Sequence, residues 1–266
     1  MKLTVEEIYD RLVNDDKILT KKGRITFTLG DIDIIVRQRD VVGNIMQEWV
    51  EGWLKKNDIE YALNDNTQMP PDFYLNPDNM KENLMEIKAF NYKAGPGFDI
   101  ADFRMYEQEI AQKPWMLDVT YLIFGYEMSE DGIVTIKKVW KNKVWEMSRP
   151  MSSGTNKTIW PINLQIKKGT VHKIRPAKWY GKSTKFSIFE NKEDFLSAME
   201  ETVYKNKDTR DDGPEWLSTM IDNYEKHYGV RLSIPRWSDI INKYVSSINI
   251  MVNYNDFGCH QLIDIR

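Results

Sequence analysis

Between Asp40 and Lys55 the apolar residues Val42, Ile45, Met46, Trp49, Val50, Trp53 and Leu54 keep the three- and four-residue spacing of a helix with one buried face. Asp40 stands in front of that run as a candidate N-cap. An earlier helix is predicted from Thr4 to about Val13, because Thr4-x-x-Glu7 has the form of a capping box. A hairpin-like region is expected around Arg24–Leu29. Short apolar runs at Ile59–Leu63, Phe73–Leu75 and Leu84–Phe90 read as strands. The glycine-bearing loop Lys93–Phe98 should lead into a helix over Ile100–Gln112, with Asp99-Ile100-Ala101-Asp102 capping its start and Pro114 ending it. Tyr121–Tyr126 and Ile133–Trp140 read as strands joined through Glu130-Asp131-Gly132, a turn sequence. Further strands are expected at Val144–Met147 and at Leu164–Ile174, the latter broken at Lys168-Gly169. Helices should then cover Lys192–Tyr204, Glu215–Tyr228 behind Pro214, and Arg236–Ile250 behind Pro235. The pattern contains no repeats or long linkers. It predicts one α/β domain of mixed type, a central mixed sheet flanked by helices, with a helical C-terminal portion.

Composition changes this picture only locally. The 266 residues can bury a substantial core, and 41% hydrophobic against 29% charged residues is the balance of a globular protein. The single cysteine, Cys259, excludes an intrachain disulfide and any cysteine-based zinc cluster. The acidic opening MKLTVEEIYDRL lacks the apolar stretch of a signal peptide, and no run reaches the ~20 apolar residues of a membrane helix. A cytoplasmic protein with no membrane attachment is the expectation. The net charge of −3 carries no signal, but its distribution does. From Lys137 to Lys185 there are 13 Lys and Arg against one acid, Glu146, whereas Phe186 to Glu225 carries 11 acids against 4 bases. Five aromatic residues and the small polar run Ser152-Ser153-Gly154-Thr155-Asn156 are interleaved with the basic stretch. Lysine and arginine neutralise phosphates and short polar loops reach base edges, so this region is read as a nucleic-acid surface rather than a merely solvated face.

Candidate chemistry centres on Pro71-Asp72 and, fourteen residues after the aspartate, Glu86-Ile87-Lys88. In a strand, Glu86 and Lys88 project to one face while Ile87 points into the core. Two charges within Leu84–Phe90, an otherwise apolar strand, are costly unless a metal or an ionic partner compensates them. Asp72 precedes at hairpin distance, and Glu48 lies on the less apolar face of the Asp40 helix. Two carboxylates and an ammonium suit a Mg²⁺ ion, a phosphate and an attacking water. This is the P-D…(D/E)-x-K pattern of metal-dependent nucleases. A surface Glu–Lys pair on an exposed strand face is the bland alternative. Asp31-x-Asp33 fits turn chemistry, the three histidines are scattered, and no phosphate-binding glycine loop is present.

The combination of Gly23-Arg24-Ile25, Asn66-Thr67-Gln68, Pro71-Asp72-Phe73-Tyr74-Leu75, Glu86-Ile87-Lys88 and Ser153-Gly154-Thr155-Asn156-Lys157-Thr158 resembles type II restriction endonucleases of the PD-(D/E)xK superfamily, EcoRV among them. Asn66–Phe73 and Pro96–Phe103 resemble the NgoBV/NlaIV group more closely. The likeness spans most of residues 20–205 and leaves the last sixty uncovered. It implies a restriction-endonuclease-like core at about 20–140, a DNA-recognition region at about 141–185 and a helical portion at 186–266. It implies a homodimer straddling double-stranded DNA and hydrolysing one phosphodiester per subunit with Mg²⁺, and a cognate DNA methyltransferase as functional counterpart rather than bound partner. Asp72, Glu86 and the Ile87 backbone would hold the metal, Lys88 would orient or activate water, and Glu48 would be an auxiliary carboxylate. Asn66 and Gln68 would approach the minor groove and backbone. Ser153, Gly154, Thr155, Asn156 and Lys157 would read the major groove, and Lys93, His172, Lys173 and Arg175 are further candidate DNA contacts. Glu86 stands where EcoRV has aspartate, which keeps the charge. The closer group implies a target of the G-G-N-N-C-C kind. A repair or resolvase-type nuclease, or a non-catalytic DNA-binding protein of the same fold, are the rival readings.

Overall fold

The computed structural model describes residues 1–66, 69–155 and 157–246. Thr4 caps helix α1 (Val5–Asp10) through the predicted box: its hydroxyl accepts from Glu7 N at 3.2 Å and Glu7 Oε2 accepts from Thr4 N at 2.8 Å. One π turn, Arg11–Asp15, extends it. Strand β1 (Lys22–Arg24) is followed by a separate hairpin, β2 (Thr26–Leu29) and β3 (Ile32–Ile35). Helix α2 (Val41–Lys56) buries Val42, Met46, Val50, Trp53 and Leu54, the face read from its spacing, although Asp40 makes no side-chain cap. Strands β4 (Ala62–Leu63), β5 (Phe73–Tyr74), β6 (Leu84–Asn91) and β7 (Ala101–Asp102) come next, then helix α3 (Phe103–Gln112). The long strands β8 (Thr120–Met128) and β9 (Ile133–Asn142) precede four short ones: β10 (Met151–Ser153), β11 (Thr158–Trp160), β12 (Leu164–Lys167) and β13 (Thr170–Ile174). Helices α4 (Lys192–Lys205), α5 (Gly213–Tyr228) and α6 (Trp237–Tyr244) complete the described chain.

The main sheet has six strands in the order β1-β9-β8-β6-β5-β4. Its one parallel pair is β6–β8, in register from Met85 against Thr120 to Asn91 against Tyr126. A parallel pair needs a crossover, and the segment carrying β7 and α3 supplies it. Both faces of the sheet are covered. Met85, Ile87, Leu122 and Phe124 face one core with Ile8 of α1, Leu12 of the π turn and the apolar stripe of α2. Leu84, Phe90, Tyr121 and Ile123 face the other, with α3, α4 and α5. Burial on both sides explains why β6 and β8 read as nearly continuous apolar runs. A second sheet, β12-β13-β7, and the two hairpins β10–β11 and β2–β3 stand apart from it.

Several elements differ from the sequence reading. Val144–Met147 is not a strand: Trp145–Met147 is a 3-10 turn, and a four-residue apolar run carries too little periodicity to distinguish the two. The helix expected from Ile100 begins at Phe103, because Ala101 and Asp102 pair with β13 and Asp102 Oδ1 then accepts from Met105 N at 3.2 Å. Of Ile59–Leu63 only Ala62 and Leu63 are strand. The helix predicted over Arg236–Ile250 is formed from Trp237 to Tyr244, after which Val245 bridges to Phe186; residues 247–250, and with them Cys259, lie outside the described residues. No helix among the described residues is long and apolar enough to cross a membrane.

Candidate active site

Strand β6 carries Glu86 and Lys88 on the same face as Leu84 and Phe90, so both charges project into an apolar layer. Glu86 is 5% exposed. Its Oε1 lies 2.7 Å from Lys88 Nζ, while its Oε2 is buried without a hydrogen-bond partner. Asp72 enters from the loop before β5, where Oδ2 accepts from Ile87 N at 2.7 Å. Because β5 pairs with β6 through Phe73–Met85, sheet geometry rather than a flexible loop fixes this approach. Ile87 points into the opposite core, as the alternation predicts, yet its backbone amide holds Asp72. The face bearing Glu86 and Lys88 is equally a core face, which corrects the picture of one buried and one open side.

Electrostatics follow from this crowding. Burial, and after it the neighbouring Glu86 carboxylate, push Asp72 up to about 7; the Ile87 amide and the Lys88 ammonium oppose the shift. Burial pulls Lys88 down, but Glu86 and Asp72 outweigh it and hold the ammonium above its ordinary value. Lys88 thus carries its positive charge beside the two carboxylates. Two adjacent carboxylates with an unpartnered oxygen fit a hard divalent cation. Among the described residues no three His, Cys, Asp or Glu side chains group as metal ligands. Asp72 and Glu86 are the carboxylates that could serve a metal here, a sparse set that would fit an ion such as Mg²⁺, which keeps much of its water.

Glu48 is exposed on α2. It lines a groove of about 330 Å³ together with Asn44, Gln47, Asn66, Pro71 and Asp72. Asn44 and Gln47 were not singled out in the sequence, although they share the 44, 47, 48, 51 stripe of α2 with Glu48 and Glu51. Tyr121 was missed as well. It is the register neighbour of Glu86 across β6–β8, and its buried hydroxyl, like that of Tyr106, has no partner among the described residues. An aromatic residue in an apolar strand gives no sequence signal for such a position.

The candidate DNA contacts divide into two groups. Ser153 ends β10, and Gly154, Thr155 and Lys157 form the exposed turn to β11, closed by Lys157 N on Gly154 O at 3.2 Å. Asn156 and Gln68 lie outside the described residues. Asn66 adjoins the groove, its N–H donating to Asn64 Oδ1 at 3.0 Å. Lys93 lies 3.6 Å from Glu127 and is largely exposed. His172 and Lys173 are half-buried on β13, with Lys173 Nζ 3.5 Å from Asp102. Arg175 pairs with Asp99 and donates to Gly97 O at 2.8 Å, so it anchors the loop ahead of α3. The basic stretch is accordingly less free than its composition implies. Lys143 is half-buried, donating to Asp118 O and Thr120 Oγ1, where partial burial lowers its pKa, and Lys141 pairs with Glu6.

This constellation on a two-faced sheet has relatives. The NgoBV restriction endonuclease family matches residues 2–244. The chain belongs to that family. It is 54% identical over 245 residues to the type II restriction enzyme NlaIV of Neisseria lactamica, covering 92% of this chain and 98% of that one. It is 48% identical over 181 residues to the type II restriction enzyme NgoBV of Neisseria gonorrhoeae, covering 68% and 98% respectively. A solved structure of NlaIV restriction endonuclease superposes with a TM-score of 0.87 at 53% identity, over 93% of this chain and 98% of that one. The mixed α/β fold read from the sequence is therefore that of NlaIV, and the chain is a type II restriction endonuclease, a site-specific deoxyribonuclease.

Proposed function

We propose that this endonuclease hydrolyses both strands of a short palindromic duplex site in a Mg²⁺-dependent reaction, as a homodimer, leaving 5′-phosphate and 3′-hydroxyl ends. The observation that carries the reading is the Glu86 carboxylate, 2.7 Å from Lys88 Nζ with its second oxygen buried and unpartnered, on the strand whose Ile87 amide holds Asp72 at 2.7 Å. Asp72, Glu86 and the Ile87 carbonyl would hold the ion. When bound it supplies Lewis-acid polarisation of the scissile phosphate and offsets the carboxylate charge that phosphate would otherwise meet. Lys88 adds a fixed positive charge and hydrogen-bond donors, which orient the attacking water and stabilise charge as the phosphorus is attacked opposite the 3′ oxygen. Glu48, on the groove that reaches Asp72, is an auxiliary carboxylate. Ser153–Lys157, with His172 and Lys173, supply the major-groove surface; Asn66 and Gln68 approach the minor groove, and Lys93 meets backbone phosphate. A G-G-N-N-C-C type of target is in keeping with the family membership.

Supercoiled plasmid incubated with the protein in Mg²⁺ or in EDTA tests this. Discrete fragments in Mg²⁺ alone, with ligatable 5′-phosphate ends that define one palindrome on sequencing, are expected. A smear or structure-dependent nicking would instead indicate a repair-type nuclease, and cleavage unaffected by EDTA would remove the metal from the account.

A further inference from the structure

Glu86 and Tyr121 are register neighbours across the parallel pair β6–β8, so their side chains leave the sheet on one face, a strand spacing apart. Helix α3 packs on that face and adds Tyr106 to the same core. Tyr106 and Tyr121 are 0% and 1% exposed. The hydroxyl of each, and Oε2 of Glu86, are buried with no hydrogen-bond partner among the described residues. A buried polar group without a partner costs stability, and native proteins tolerate few of them. Their gathering beside one carboxylate calls for a shared partner.

Chemistry narrows what that partner is. Each tyrosine offers one O–H donor, whereas ionised Glu86 offers only acceptor oxygens. Burial first, then Tyr106, Glu86 and Asp72, raise Tyr121 well above its ordinary pKa, so its proton stays in place. Those influences also put the Tyr121 hydroxyl within electrostatic reach of Tyr106 and of both carboxylates. Neither hydroxyl bonds Oε2 directly. A water closes the gap by accepting from the two hydroxyls and donating to Oε2, which makes the ~3 bonds typical of a buried water. A cation suits the place poorly, because two of the three groups are neutral phenols.

We propose that Tyr121 and Tyr106 are positioning residues of the cleavage centre, orienting the Glu86 carboxylate through one buried water. The inference rests on the metal-dependent reading above and deepens it, by naming what aims the metal ligand. Glu86 is then gripped at both oxygens, by Lys88 on Oε1 at 2.7 Å and by the water on Oε2. An ionised carboxylate has about four acceptor sites, so these bonds leave lone pairs for the ion. The tyrosines touch neither DNA nor metal and act only through Glu86. A ligand held from behind in this way keeps its orientation before the ion arrives.

Tyr121→Phe deletes the hydroxyl and keeps the ring, and metal affinity is its first readout. Mn²⁺ binding to enzyme saturated with cognate duplex, followed by the electron paramagnetic resonance of free Mn²⁺, should weaken ~10–100-fold, as when a group that orients a metal ligand is lost. The Mg²⁺ concentration for half-maximal cleavage should rise in step, while the rate at saturating Mg²⁺ stays near that of wild type. Tyr106→Phe should act in the same direction. Tyr106→Phe/Tyr121→Phe should be little worse than Tyr121→Phe, because one water serves both hydroxyls. Circular dichroism checks folding, and Tyr106→Phe carries the same test should Tyr121→Phe fail to fold. Wild-type Mn²⁺ affinity in the folded variant overturns the proposal, as do losses that multiply in the double variant. Glu86→Gln distinguishes that failure from failure of the metal reading. If Glu86→Gln abolishes Mn²⁺ binding and Tyr121→Phe leaves it intact, only the tyrosine link falls. A Glu86→Gln enzyme that binds Mn²⁺ and cuts as wild type does removes the metal site itself.

Discussion

Glu86 and Lys88 are built into a strand enclosed by two cores, with Asp72 held against it from the loop before β5, whereas Gly154, Thr155 and Lys157 lie in the exposed turn of a two-stranded hairpin. The first group is positioned before DNA arrives: sheet pairing places it, and burial sets its charges against one another. The second is held mainly by its own turn, an arrangement that would let the side chains proposed to read DNA adapt to base edges in the groove. On the proposed assignment, chemistry in this enzyme is scaffolded by the core and recognition by the surface. Substitutions in the two regions should therefore separate rate from discrimination.

The largest separation is expected at Asp72. Asp72→Asn should lower cleavage by at least about 10³-fold while DNA binding holds or tightens, because a negative charge near phosphate has been removed. Single-turnover cleavage alongside a binding titration measures both. A variant that cuts at the wild-type rate would move the metal site elsewhere.

Lys88→Ala removes a charge and donors but no metal ligand, and should cost about 10²-fold in rate. Because Lys88 is held protonated, its loss should lower the rate at all pH values between 6 and 9 rather than shift the profile. A shifted profile would make it a base.

On the recognition side, Asn156→Ala should cost about 1–3 kcal/mol of discrimination between cognate and one-base-altered duplexes. Lys137→Ala should weaken binding to every sequence alike and flatten its salt dependence. Arg175 sharpens the contrast, since its guanidinium is occupied by Asp99 and Gly97. Arg175→Ala should act through the loop ahead of α3, lowering stability by about 1 kcal/mol, a modest amount for a partly exposed pair. Equilibrium constants at several salt concentrations, with melting curves, distinguish the three.

Glu107 provides the comparison with a buried carboxylate outside the site. On α3, packed beneath α5, it has two buried oxygens without partners, and burial first and Asp212 second push it up to about 7, with Arg104 opposing. A folded-state value above the unfolded one costs stability as pH rises past the unfolded value, and the full cost is reached above the folded one. Glu107→Gln should thus be neutral near pH 4 and stabilising near pH 8, on the order of 1–2 kcal/mol. Melting temperatures at the two pH values check the sign.

Glu48→Ala should have the smallest effect on rate, below about 10-fold, because an exposed groove carboxylate is not a required ligand. A loss as deep as that of Asp72→Asn would promote Glu48 to a primary ligand.

The division between core and surface also governs what was legible in the sequence. The apolar stripe of α2 and the strands β6, β8 and β9 were readable because burial imposes periodicity on many residues at once. Glu86 and Lys88 stood out because charges are rare in a strand buried on both sides. The β10–β11 hairpin was not resolved as strands, since three-residue, half-buried strands impose no pattern. Only the first strand of the β2–β3 hairpin lay within the expected region, for its apolar residues face solvent rather than a core. Tertiary contacts were hidden as well. The basic run could not show that Lys143 is engaged by Asp118 and Thr120, or that Arg175 serves the Gly97–Asp99 loop. The neighbour of Glu86, Tyr121, depends on strand order, which no local signal encodes.

The central claim, that the Asp72–Glu86 carboxylate pair beside Lys88 is the cleavage centre, is tested most directly at Glu86. The single-turnover rate of Glu86→Gln on cognate duplex in Mg²⁺ is the measurement, made on protein shown to bind that duplex as tightly as wild type. The account predicts a fall of about 10³-fold or more. Cleavage at the wild-type rate by a folded, DNA-bound Glu86→Gln enzyme would contradict it.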